Sequence, residues 1–208
     1  MANDDRPRGL IPLDWPSTRV HAYRITTGGD VFVGQAVDAV AAGYISAITM
    51  TGLQPSLGVV VGFAGPNLGG LASSDPFLDV SDLTPPTGGE PPGDRYALVA
   101  DDPQQQYYIQ EDTGGTALTL ADNWSTLDLV FRGPTGTVTN GNTDTGWANL
   151  ELDASSIVQT SGAFVQVIRL HEAPNSDGTL NAPGDFAKWV VRISQHRLST
   201  TPLPNIAV

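Results

Sequence analysis

RYALVADDPQQQYYIQED, residues 95–112, reads as two short β-strands around a turn. In the first, Tyr96, Leu98 and Ala100 fall on one face and Ala97, Val99 and Asp101 on the other, the two-residue alternation of a strand. In the second, Tyr107 and Ile109 alternate with Tyr108 and Gln110. Asp102-Pro103 between them is turn chemistry, because an Asp side chain accepts from nearby backbone N–H groups and proline presets φ. A hairpin is therefore expected. The stretch also carries the most suggestive carboxylates, Asp101-Asp102 and Glu111-Asp112. Paired carboxylates perform glycosidase chemistry when they face each other across a cleft and one has a raised pKa. Adjacent residues at a strand end point in opposite directions, so Asp101 and Asp102 read as a structural corner rather than an acid–base pair.

The same patterning recurs along the chain. RVHAYRIT (19–26), DVFVGQAVDAV (30–40), GYISAITM (43–50) and LGVVVGFA (57–64) precede the opening stretch. LDLVFR (127–132), AFVQVIRLHEA (163–173) and DFAKWVVRISQHRL (185–198) follow it, the last with Trp189 in a core position. The 23 glycines and 16 prolines supply many turns, and the only helix candidate lies around Leu118–Asp128. Short strands about ten residues apart give an all-β fold, a jelly-roll-like barrel or sandwich. Residues 18–208 are expected to form one β domain. A Pro/Gly-rich loop insertion over 65–94 interrupts it, too long for an ordinary connection. Residues 1–17 read as an extended arm, since Pro7, Pro12 and Pro16 exclude a helix, while Leu10, Ile11, Leu13 and Trp15 need burial somewhere.

The formal net charge is −12, and of ten basic residues only Lys188 is a lysine. Such a surface repels phosphate backbones, which argues against direct nucleic-acid binding. The absence of cysteine excludes disulfides, thiolate metal sites and cysteine nucleophiles. MANDDRPRGL lacks an apolar signal segment and no apolar run approaches a membrane span, so a soluble protein made in a cytoplasm is expected, with no membrane partner. TNGNTDTG (139–146) is rich in oxygen ligands but lacks the acidic order of a calcium loop. His21, His171 and His196 lie in strand patterns at wide spacing, and three histidines can bind a metal only by converging in the fold. No Walker loop, nucleotide-type glycine fingerprint or nucleophile elbow occurs. No catalytic residue, cofactor or metal is therefore expected. An acidic all-β module with an apolar arm suits recognition or scaffolding.

Four segments in order carry a resemblance: RPRGL (6–10), LVADDPQQQYYIQED (98–112), LELD followed by serines (150–156), and AKWVVRISQHRL (187–198). Together they resemble the small capsid decoration proteins of tailed bacteriophages, also called cement or head-stabilising proteins. Residues 65–94 depart from the shorter members as an insertion. The resemblance implies a β-barrel or jelly-roll-like body that assembles as a homodimer or homotrimer on the outer surface of the virion capsid, where it bridges subunits of the major capsid protein. On that reading the arm is the expected contact, with Leu10, Ile11 and Trp15 filling shell pockets and Arg6 and Arg8 meeting acidic groups. The competing expectation is that the arm folds back onto its own body or a sister protomer.

Three other readings make different demands. A carbohydrate- or receptor-binding module of a fibre or tail requires exposed aromatics on one face, such as Tyr107, Tyr108 and Trp147. A carboxylate hydrolase requires Asp101 or Asp102 to face a second carboxylate across a cleft. A shell-lattice subunit requires a long helix that the pattern does not provide.

Overall fold

The computed structural model describes residues 3, 5–14, 18–25, 30–40, 43–48, 54–64, 77–78, 96–132, 140–157 and 163–199. The fold is all-β, as expected. Its first unit is a closed five-stranded barrel of β2 (Val20–Ile25), β4 (Ala36–Ala39), β5 (Tyr44–Ala47), β6 (Gly58–Ala64) and β8 (Tyr96–Ala100), in the order β2-β5-β4-β6-β8. β2 and β5 pair in parallel, and every other pair in the barrel is antiparallel. The second unit is a five-stranded antiparallel sheet. It is ordered β1 (Ile11–Pro12), β9 (Gln106–Gln110), β14 (Lys188–Ile193), β13 (Val165–Leu170) and β10 (Thr126–Leu127). Two short ladders flank these units: β3 (Val31–Phe32) with β7 (Phe77–Leu78), and β11 (Leu129–Phe131) with β12 (Leu150–Leu152).

Alternation along the barrel strands divides the interior into two cores. Val37, Val60, Ala97 and Val99 fill the barrel with Ile25, Val31, Ile45 and Leu57. Their chain neighbours Ala36, Val59 and Ala100 belong to the other core, where they meet the inner face of the sheet: Tyr107, Ile109, Trp189, Val191 and Ile193. One barrel wall is thus buried on both sides, which accounts for the unbroken apolar run Gly58–Val60.

The segment 95–112 departs from its sequence reading. The turn is present: Gln104 N donates to Asp102 Oδ1 at 2.8 Å, and Gln105 N donates to the Asp102 carbonyl at 3.0 Å. The strands it joins do not form a hairpin, because both edges of β8 are occupied by β2 and β6 in the closed barrel. β9 instead pairs with β1 and β14. The turn therefore carries the chain from barrel to sheet.

Other boundaries shift for local reasons. The run 30–40 divides into β3 and β4 around Gly34, whose φ is +87°. The run 127–132 lies on β10 and β11, which belong to different sheets. The helix expected at 118–128 is one 3₁₀ turn, Leu120–Asp122. Thr119 and Asp122 cap it reciprocally, and Asn123 then leaves the helical region at ψ 137°. Within the insertion, Phe77–Leu78 pairs with Val31–Phe32; residues 65–76 and 79–94 lie outside the described residues. No helix among the described residues is long and apolar enough to cross a membrane.

Candidate functional site

The arm is built into the fold. Ile11 and Pro12 pair with Tyr108 and Tyr107 as the edge strand of the sheet, and Leu13 N donates to the Gln106 carbonyl at 3.1 Å. Leu10 N donates to the Gly34 carbonyl at 2.9 Å, while the Leu10 side chain is 1% exposed within the inter-sheet core. The crossing is made by two glycines with positive φ, Gly9 at +70° and Gly34 at +87°. A Cβ on Gly9 would fall on the Gly34 carbonyl oxygen, and one on Gly34 would fall on the Arg8 carbonyl oxygen. Further out, Arg6 N donates to Gln110 Oε1 at 2.8 Å, and the Asn3 side chain donates to the Ala182 and Asp185 carbonyls.

The five residues assigned to partner binding therefore separate. Leu10 is a core residue of its own chain and cannot enter a pocket on another protein, which corrects that expectation. Ile11 is half-buried, and Arg6 and Arg8 are exposed. Trp15 lies outside the described residues.

Around this strap the surface is concave. Between the arm and the far wall of the sheet lies a cleft of about 230 Å³, with Arg6 and Arg8 on one side and His171, Ser176 and Lys188 on the other. Strand register produces its floor: Tyr108 faces Ile11, and Gln110 faces Lys188. The Tyr108 and His171 rings stack at 4.6 Å. Burial, with Arg169 and Lys188 nearby, holds His171 below the usual imidazole range. On the other side of the strap, Leu10, Ile11, Pro12, Val33, Val61 and Trp147 contribute to an apolar groove of about 390 Å³. Arg6 and Arg8 also border a third depression, of about 360 Å³, with Asn142 and Trp147, where the Arg8 guanidinium sits 5.7 Å from the Trp147 ring centroid.

No family model matches the chain, and no curated protein matches it.

The residues singled out for other chemistry are distributed through the molecule. Asp101 is fully buried, accepting from His21 Nδ1 at 2.8 Å and from Tyr23 Oη at 2.5 Å, with Arg19 Nε at 3.6 Å. Asp102 caps its own turn, so the two carboxylates have separate partners. Of the aromatics expected on one exposed face, Tyr107 is 1% exposed and donates to the Ala100 carbonyl at 3.1 Å, while Tyr108 and Trp147 line different depressions. The three histidines have separate surroundings: His21 against Asp101, His171 on Tyr108, and His196 accepting from Leu198 N. Among the described residues no group of three or more His, Asp or Glu is placed to hold a metal ion. In the glycine-rich loop, Asn142 Oδ1 accepts from the backbone N–H groups of residues 144 and 145.

Glu111, Asp112 and Glu151 are all buried and knit β9, β12 and β14 together. Glu111 accepts from Leu118 N and Trp189 Nε1, both at 2.7 Å. Burial pushes its carboxyl up to about 7 against those two hydrogen bonds. Glu151 accepts from Gln110 Nε2 at 2.7 Å and is also pushed by burial to about 7. Asp112 accepts from Ala154 N at 3.0 Å and pairs with Arg132 at 2.8 Å. Sequence reasoning named Tyr108, His171 and Lys188 separately, on other grounds, and did not bring them together as the wall opposite the arm. The one available signal was that Lys188 is the chain's only lysine.

Proposed function

We propose that this chain is a non-enzymatic structural protein of a tailed-phage virion, binding the outer surface of the capsid and stabilising it by bridging neighbouring subunits of the major capsid protein. The observation that carries the reading is the arm-centred face. A strap bearing Arg6, Arg8 and Ile11 is held on a rigid sheet edge, with a basic cleft on one side and an apolar groove on the other. A preorganised ridge between two hollows suits docking on another protein, because little ordering entropy opposes association. The four resembling segments add to this: RPRGL leads into the strap, and the other three supply β9, which pairs with it, β14 on the far side of β9, and β12 of the neighbouring ladder.

Packaged DNA stresses an expanded shell outward, and its weak points are the seams between capsomers. A binder that spans a seam must detach before the subunits part. An oligomer engaging several subunits gains effective concentration, so each contact can be small. The test is co-sedimentation of the purified protein with emptied, expanded capsids stripped of it. Saturable binding at a fixed simple ratio to shell subunits is expected. Failure to bind overturns the reading, and glycan affinity lost in Trp147→Ala would then favour a carbohydrate-binding module of a fibre or tail.

A further inference from the structure

We infer that the segment following β14 is an acid-released clasp, which ties the sheet to the barrel while the His196 ring is neutral and opens when that ring gains a proton. Beyond Ile193 the chain makes a parallel bridge with Ser56, centred on His196. Ser56 N donates to the Gln195 carbonyl at 2.9 Å, and Arg197 N donates back to the Ser56 carbonyl at 2.7 Å. Ser56 belongs to the barrel side: it lies two residues before β6, and its hydroxyl donates to the Val37 carbonyl on β4 at 3.1 Å. Arg197 adds a guanidinium fork onto Asp38, also on β4. These contacts require residues 195–198 to keep one backbone path. His196 fixes that path, because its Nδ1 accepts from Leu198 N at 3.1 Å.

The ring can do this in only one protonation state. His196 is 6% exposed. With Nδ1 accepting, the proton of the neutral ring sits on Nε2, which is buried and has no hydrogen-bond partner among the described residues. A second proton must therefore go to Nδ1. There it displaces the Leu198 N–H, since an imidazolium carries two donors and no acceptor, and it leaves a buried cation. The charged groups facing the ring are Asp101 and Asp102. Both are already engaged, Asp101 by His21 and Tyr23 and Asp102 by Gln104 N. Burial outweighs their attraction and holds His196 below the usual imidazole range. As pH falls through about 6.5, the opened segment takes up a proton that the clasped one refuses, so the clasp weakens; above about pH 7.5 it has its full strength.

Glu111 and Glu151, pushed by burial to about 7, stabilise the whole fold as pH falls, so the clasp has to be read locally. The readout is amide hydrogen exchange of the ¹⁵N-labelled chain at about pH 7.5 and about pH 5.5, expressed as protection factors for Ser56 and Arg197. Val60, whose N–H donates to the Gln35 carbonyl, serves as the reference. Protection at Ser56 and Arg197 is expected to fall about tenfold at the lower pH, the factor by which a free imidazole of pKa about 6.5 favours the open form, while Val60 holds. His196→Gln, whose amide oxygen can still accept from Leu198 N but cannot titrate, is expected to give equal protection at both pH values. Arg197→Gln, which removes the fork on Asp38, is expected to lower protection at Ser56 throughout and to keep the pH dependence. Constant protection in the parent, or the same fall in His196→Gln, overturns the inference. So does a His196 midpoint at or above about 6.5, read from its Cε1–H signal in NMR of the parent, a measurement that needs no variant to fold.

Discussion

Gly9 and Gly34 meet where two backbone segments touch, each with a positive φ and each lacking room for a Cβ. Substitution at either position combines left-handed backbone strain with a clash against a carbonyl oxygen that cannot rotate away. Gly34→Ala is expected to cost about 2 kcal/mol or more, read from urea unfolding. A change within a few tenths would show that the crossing relaxes freely. At Glu151 the side chain is 4% exposed, and burial raises its carboxyl from 4.5 to about 7, reinforced by Asp5 and Asp112 and opposed by Gln110 and Arg132. Between those two values the folded chain retains a proton that the unfolded chain has released. This group therefore lowers stability as pH rises through that window, and its effect levels off above about 7. Glu151→Gln removes the titration and is expected to gain stability relative to the parent between about pH 5 and about pH 7.5. Parallel pH profiles for the two proteins would refute this.

At the scale of elements, β1 is only two residues long, yet it closes one edge of the sheet and delivers Leu10 to the core. Deletion of residues 2–16 would remove β1 and the buried Leu10 together. With Leu10 buried, the deletion would open a cavity beside Tyr107 and Ile109, so truncation cannot report on docking alone. Leu10→Ala is expected to destabilise by about 2–5 kcal/mol, measured by thermal or urea unfolding. A cost below about 1 kcal/mol would mean that the arm detaches readily.

Most strands were legible because alternation is local: β2, β5, β6, β8, β9, β13 and β14 all lie within their patterned runs. β1 was not, because Pro12 masks a strand that needs only edge pairing. Pairing partners were also hidden, since β8 and β9 read as a hairpin until barrel closure occupied both edges of β8. The arm half of the candidate site was legible from its composition. The other half depends on the register of β14 against β9, which no local pattern encodes.

For the molecule as a whole, barrel and sheet share the core that runs from Val59 and Ala100 to Trp189 and Val191, so the proposed docking face stands on both units. The pairing of Ile11 with Tyr108 also has a consequence for synthesis. β1 leaves the ribosome before its partner: β9 emerges about a hundred residues later, and β14, on the other side of β9, later still. The barrel can assemble from its own early strands, while the arm waits until Lys188–Ile193 emerges and the sheet can close. The surface that carries the proposed function is thus completed only once β14 has emerged, and a chain that stops short of it does not yet present that surface.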